Sequence, residues 1–272
     1  MLTVLQNYNN IQDVHSNMHK MYICVAKESC YYDANEQANY SCDGIEKEDP
    51  MANLFTIHEA NDDYLKIQKH TQEIDVVVEL SRVFDPNLKP DTTSDFLDHM
   101  INTMAWGLCM SIGVKVTCGK WRSTHTIAED VGITIGAGLK KFYYKLLEDE
   151  GVNIMGYGFG CLDESLSRCV VGVEGRRNTF ITVADECSGG RLEIVEDLRS
   201  QDMWSFVEGF FQGFPATCHL DMLKGRDPHH VWETAFHALG EALNSTMQIN
   251  PWRIAKNNPY YGEEGVADAS LV

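Results

Sequence analysis

The chain has 272 residues, 44% hydrophobic and 23% charged, enough to bury a full core as one large domain or two small ones. Its formal net charge of −18, with no visible basic patch, excludes nucleic acid as a partner and leaves solubility as the plainest reading of the acidity. Nine cysteines at irregular spacing never form a CxxC pair, so reduced thiols in a cytoplasm are expected rather than a disulfide framework.

Residues 1–65 hold three lysines against eleven Asp and Glu, with frequent Asn and Tyr and little hydrophobic periodicity. That composition reads as an acidic N-terminal extension, a surface or disordered arm, with a small extra domain as the alternative. The spacing of Cys24, Cys30 and Cys42 within it gives no support to a zinc site. Regularity begins near residue 66. Ile74–Leu80 is rich in β-branched residues and reads as a strand. Asp85-Pro86-Asn87 and Lys89-Pro90-Asp91 mark a loop. Asp95 is the expected cap of a helix from Phe96 to Cys109. The apolar stretch Met100–Val116 is too short and too polar to span a membrane, being broken by Asn102, Thr103, Ser111 and Lys115.

Gly113–Cys118 alternates as a strand does, and His125–Leu147 has helical spacing weakened by Gly132, Gly136 and Gly138. GYGFG, Gly156–Gly160, reads as a tight turn, because no strand–loop–helix context makes it a phosphate loop. Strands are expected at Cys169–Val173 and Thr179–Ala184, then a helix over Ser205–Gly213 and a strand over Cys218–Leu223. A long helix from Pro228 to Met247 stops before Asn250-Pro251. Strand, helix, strand and a helix bearing His and Glu thus occur twice, over about 66–150 and 151–253, followed by a tail over 254–272. The expected fold class is α+β with duplicated βα half-domains, not a Rossmann-type sheet.

The two repeated helices begin HTIAE and HHVWE. Positions i and i+4 share one helix face, so His125 points with Glu129, and His229 with Glu233. An imidazole and a carboxylate one turn apart can chelate one divalent ion, and His230, off to the side, could reach a second. A lone HHxxE is most simply an ordinary polar helix surface. Two such helices in one chain, with His99 added, favour metal binding, and His with carboxylate but no thiolate suits manganese, iron or zinc.

These residues also carry a resemblance. TQEID (Thr71–Asp75), FLDHM (Phe96–Met100), HTIAEDVGITIG (His125–Gly136), LDESLSR (Leu162–Arg168) and VEGRR (Val173–Arg177) follow one another in order. CHLDMLKGRDPHHVWETAFHALGEAL (Cys218–Leu243) completes the series. Over about 66–253 the chain resembles the imidazoleglycerol-phosphate dehydratase family, whose corresponding motifs include FLDHML, HHTVEDVGIALG and PMDEALAR. The resemblance implies that family's fold, of the ribosomal protein S5 domain 2-like class, and a pair of metal sites, manganese in the family. It maps the ligands onto His99, His125, Glu129, His229, His230 and Glu233. Glu73 matches the strand glutamate lying against the substrate, and Glu73, Glu129 and Glu233 become the catalytic carboxylates. The family binds an imidazole ring to its metals, removes a hydroxyl as water and lets the enol become a ketone. It also implies self-association, as a trimer or 24-mer whose subunit contacts complete each site; the expectation kept here is a homo-oligomer.

The departures are specific. The second histidine of HHTVE is Thr126 here. The ligand histidine of the family's EHFF falls on Gly209 in EGFF, and the segment after it is about four residues shorter than in the family. His219 could compensate, although a packed strand histidine is the plainer reading, and His237 reads as a helix-surface residue. The arginine of the family's RFG falls on Ile154, no cation lies within Gly151–Gly160, and the C-terminal STKG is absent. Arg176 and Arg177 alone are left to hold an anion of the substrate, whereas a phosphate monoester recruits several charged donors. The sequence therefore points to a metal-dependent carbon–oxygen lyase acting on a different or unphosphorylated small molecule. The alternatives are the histidine-pathway dehydratase itself and a non-catalytic metal-binding or scaffolding descendant.

Overall fold

The computed structural model describes residues 54–120, 123–187 and 193–254. The expectations for residues 1–53, including Cys24, Cys30 and Cys42, and for the tail beyond 254 lie outside the described residues. The first half contains strands β1 (Phe55–Ala60), β2 (Tyr64–His70), β3 (Ile74–Ser81) and β4 (Pro90–Asp91), helix α1 (Asp95–Leu108), strand β5 (Ser111–Cys118) and helix α2 (Thr124–Asp149). The second contains β6 (Met155–Leu162), β7 (Ser165–Gly172), β8 (Asn178–Val183), the short hairpin β9 (Ile194–Val195) and β10 (Leu198–Arg199), helix α3 (Ser200–Gly213), β11 (Thr217–Lys224) and helix α4 (Pro228–Thr246). A short α5 (Pro251–Ile254) follows. Among the described residues no helix is long and apolar enough to cross a membrane.

The strand orders expose the duplication. One sheet runs β1-β2-β3-β5-β4 and the other β6-β7-β11-β8. In the first, β5 is antiparallel to β3 and parallel to β4. In the second, β11 is antiparallel to β7 and parallel to β8. Thus β2-β3-β4-α1-β5-α2 and β6-β7-β8-α3-β11-α4 are one unit repeated. Strand β1 is an addition at the edge, and the β9–β10 hairpin an insertion before α3. Helix α2 lies on the first sheet and α4 on the second, while α1 packs on α4 and α3 on α2. Each half therefore supplies the helix that flanks the other half's His/Glu helix. One continuous core joins them, from Val76 and Leu80 through Leu97, Met104 and Phe206 to Trp232 and Phe236. Each such fully buried side chain contributes roughly 1.5–3 kcal/mol.

The structure corrects several local expectations. Regular structure begins at Phe55, inside the stretch read as extension, because β1 pairs with β2 from Phe55↔Lys69 to Ala60↔Leu65. The side chains of β1 are almost all exposed, which is why its sequence carries no hydrophobic alternation. Ser94, not Asp95, caps α1, its side chain accepting from Leu97 N. Helix α3 starts at Ser200, well before Ser205. GYGFG is strand, not turn: Gly156, Gly158 and Gly160 form its buried face, and a Cβ on any of them would run into the backbone of α4 at Ala242, Ala238 or Thr234. Glycine at every second position is here a strand pattern, set by a helix lying directly on the backbone.

Candidate functional site

Helix α4 opens with Asp227 as cap, its side chain accepting from His229 N, and with Pro228 at the first helical position, where a missing N–H costs nothing. This places His229 and His230 in the first turn and Glu233 one turn on. His229 Nε2 lies 3.4 Å from Glu233 Oε2. His99, on the second turn of α1, brings its Nε2 to 3.4 Å from the same carboxylate oxygen. The donor atoms of His99, His229 and Glu233 all lie within 4.8 Å of one another, the one such group of three among the described residues. Phe96 packs its ring on His229 at 5.1 Å and holds the imidazole's angle. Two neutral imidazole nitrogens and one carboxylate, without thiolate, form a donor set that fits a divalent ion and leaves coordination positions open.

Both histidines of the pair are held from behind. His229 Nδ1 is 3.2 Å from Glu196 Oε1, and His230 Nδ1 is 3.0 Å from Glu164 Oε2. Glu164 Oε1 accepts from Asp227 N and Arg226 N at 3.0 Å each. These backbone donors, with His230, hold the Glu164 carboxyl far below the usual carboxylate range, and the bond to Glu164 in turn raises the pKa of His230.

The α2 side is poorer. Ser123 caps the helix by accepting from Thr126 N. His125 Nε2 lies 3.8 Å from Glu129 Oε2, so the two share a face as their spacing requires, and Ser205 Oγ lies 2.9 Å from His125 Nδ1. Thr124 Oγ1 donates to Asp202, a carboxylate with no solvent exposure that also takes Arg199. Thr126 shares an open pocket of about 220 Å³ with Glu73, Ile74, Cys118, Ser123 and Ile127. Within one chain, His125, Glu129, His230 and Glu73 do not join the group around His99.

Internal symmetry identifies what faces His125. A Cβ on Gly240 of α4 would meet the Met104 carbonyl, and one on Gly136 of α2 the Phe210 carbonyl. Gly240 lies as far beyond His229 as Gly136 lies beyond His125, so Met104 and Phe210 are counterparts. Five residues before each stand His99 and Ser205. The expectation that Gly209 takes a ligand's place is therefore corrected. A Cβ at Gly209 would lie 2.5 Å from the Glu129 carbonyl oxygen, so that position has no room for a side chain. Reading α3 one turn earlier also removes the apparent four-residue shortening after it. His219 stacks on Phe180 with ring centroids 4.8 Å apart, as a packed strand histidine does.

Arg176 and Arg177 are exposed in the loop between β7 and β8. Val173 N, at the start of that loop, donates to Ile154 O at 2.7 Å, so the aliphatic Ile154 lies at the base of the loop that carries the two arginines. Glu164, Glu196 and Ser205 were not singled out from sequence. Glu164 sits inside LDESLSR and Ser205 is reachable by the internal repeat, whereas nothing local marks Glu196.

A family model described as "Imidazoleglycerol-phosphate dehydratase" matches residues 92–243. The chain is 34% identical over 180 residues to the imidazoleglycerol-phosphate dehydratase of Vesicomyosocius okutanii, covering 66% of this chain and 89% of that protein. It is 36% identical over 155 residues to that of Scheffersomyces stipitis, covering 57% and 66% respectively. The crystal structure of IGPD from Pyrococcus furiosus superposes with a TM-score of 0.55 at 25% identity, covering 67% of this chain and 94% of that one.

Proposed function

This chain belongs to the imidazoleglycerol-phosphate dehydratase family, and from that membership we propose that it is a metal-dependent hydro-lyase whose small-molecule substrate differs from the family's or lacks its phosphate. The observation that carries the lyase reading is the convergence of His99, His229 and Glu233 on one point. Those three hold one divalent ion, manganese by family and iron or zinc by donor type; His230, His125 and Glu129 are the donors for a second. A bound ion supplies Lewis-acid chemistry, lowering the pKa of a coordinated ring and holding developing negative charge. The chain's own carboxylates do the proton work. Glu73, beside Thr126 in its pocket, faces the substrate, and with Glu129 and Glu233 it removes a proton from carbon and returns one to the departing hydroxyl.

The absence of a cation at Ile154, at the base of the loop bearing Arg176 and Arg177, supports a substrate other than the family's phosphate ester. The separation of His125, Glu129 and His230 from the His99 group supports sites completed between copies in a homo-oligomer, trimer or 24-mer. A cytoplasmic location fits nine cysteines without a disulfide pattern. The names of the relatives favour a second reading, the histidine-pathway dehydratase itself.

Metal content decides the first point. Purified protein with no bound metal and no affinity for Mn²⁺ sinks both enzyme readings and leaves a non-catalytic descendant. Rescue of a strain lacking the histidine-pathway dehydratase establishes the second reading and removes the substrate proposal. Failure of rescue by a metal-loaded protein, with turnover of an unphosphorylated imidazole alcohol, supports the first.

A further inference from the structure

The two adjacent histidines of α4 are gripped in the same way by two unrelated hairpin turns. Glu196 lies at the tip of β9–β10 and Glu164 in the turn between β6 and β7, and each places one carboxylate oxygen against an Nδ1. Neutral imidazole carries one N–H and one lone pair, and a carboxylate can only accept. We propose that Glu196 and Glu164 are positioning residues that hold the ring protons of His229 and His230 on Nδ1, so that both Nε2 lone pairs face outward for metal binding. This rests on the lyase reading for its purpose but not for its chemistry.

For His229 the consequence is visible, since its Nε2 is the atom that meets Glu233 and the His99 group. Such a carboxylate also raises the basicity of the ligating ring. Glu196 has φ of 54° and Asp163, before Glu164, has φ of 46°. A left-handed conformation at a non-glycine residue costs on the order of 1 kcal/mol, and both residues open two-residue hairpin loops, which require it. The two glutamates differ in one useful respect. Oε1 of Glu164 is committed to two backbone N–H groups, leaving only Oε2 for His230, whereas Glu196 meets His229 through Oε1.

That difference makes the test sharp. In Glu164→Gln the amide oxygen stays on the backbone donors and the amide N–H₂ faces Nδ1, which forces the proton of His230 to Nε2. Glu196→Ala frees His229 without touching a helix cap. Magic-angle-spinning ¹⁵N spectra of the full chain, histidine-labelled and metal-free above the histidine titration range, report the tautomer of each ring. His229→Gln and His230→Gln assign the signals. The expected result is Nδ1–H at both rings in the wild type, Nε2–H at His230 in Glu164→Gln, and Nε2–H gained at His229 in Glu196→Ala. Titration with Mn²⁺ alone should show about 10–100-fold weaker binding in Glu196→Ala. Wild-type rings protonated on Nε2, or tautomers unchanged in both variants, overturn the proposal. Should Glu164→Gln fail to fold, the Glu196→Ala spectra decide. A wild type that shows the Nδ1–H tautomers yet takes up no Mn²⁺ defeats the lyase reading and leaves the positioning role standing.

Discussion

The inward face of β2 is Leu65, Ile67 and Lys69; the equivalent face of β6 is Gly156, Gly158 and Gly160. In the first half the helix stands off on a layer of side chains, and Gly138 of α2 makes room for Leu65, Ile67 and Leu80. In the second half the strand gives way instead, and α4 lies on bare backbone. The residue after each repeat's glutamate then anchors differently: Asp130 takes buried Lys69 at 2.5 Å, while Thr234 shares a hydrogen bond with buried Ser167 at 3.0 Å. The ligand content diverges in parallel. His99, His229, His230 and Glu233 on one side correspond to Ser205, His125, Thr126 and Glu129 on the other. Helix packing on both sides is set by close backbone contacts that tolerate no added Cβ, so the frame persists while the surface side chains change.

Breaking the buried anchors should show the largest difference between the halves. Lys69→Met strands the Asp130 carboxylate and is expected to cost about 3–5 kcal/mol in urea unfolding. Ser167→Ala, which leaves a hydroxyl able to turn to the Val231 carbonyl, should cost no more than about 1–2 kcal/mol. Equal costs would erase the contrast.

Metal binding should divide the same way. Glu233→Gln removes the carboxylate shared by His99 and His229, and Mn²⁺ affinity by calorimetry should fall by more than the roughly 100-fold upper range of an outer-shell loss. Glu129→Gln should have the smaller effect, because its side of the molecule has lost two histidine counterparts, at Thr126 on α2 and Ser205 on α3.

The register of α3 yields a paired prediction. Gly209→His should destabilise by about 1–3 kcal/mol, its Cβ overlapping the Glu129 carbonyl, and add no metal. Ser205→His combined with Thr126→His should instead tighten Mn²⁺ binding at the second site, the one His125 and Glu129 serve. A gain of metal in Gly209→His would return the ligand position to residue 209. The smallest expected effect is at the cap of α1: Ser94→Ala should cost about 1 kcal/mol, and Asp95→Ala, whose charge merely favours the helix N-terminus, about 0.3–1 kcal/mol.

Much of this could be read along the chain. Pairing of His229 with Glu233 and of His125 with Glu129 follows from helix pitch, a local rule that needs no tertiary information. Helices α1, α2 and α4 announced themselves by apolar periodicity and by proline and polar stop signals, and the duplication by the recurrence of HTIAE and HHVWE. Strand β1 did not, since it buries almost nothing, and GYGFG within β6 reads as a turn because glycine there answers to a helix far away in sequence. The Gly209 assignment failed for a related reason: EGFF preserves the letters around the family's histidine, yet an α-helix shifted by one turn presents nearly the same face, so spacing alone cannot choose between 205 and 209.

Periodicity and helix pitch are properties of a single segment, and through them the sequence settled the α+β class, the repeat and the two His/Glu helices. Which side chains meet depends on segments from about thirty to more than a hundred residues apart. That His99 joins His229 and Glu233, that Ser205 and not Gly209 faces His125, and that Glu164 and Glu196 take the back of the HHVWE pair all follow from helices crossing at glycine contacts and hairpins curling over them. Those contacts bring donor atoms within bonding distance, and only the packed chain contains them.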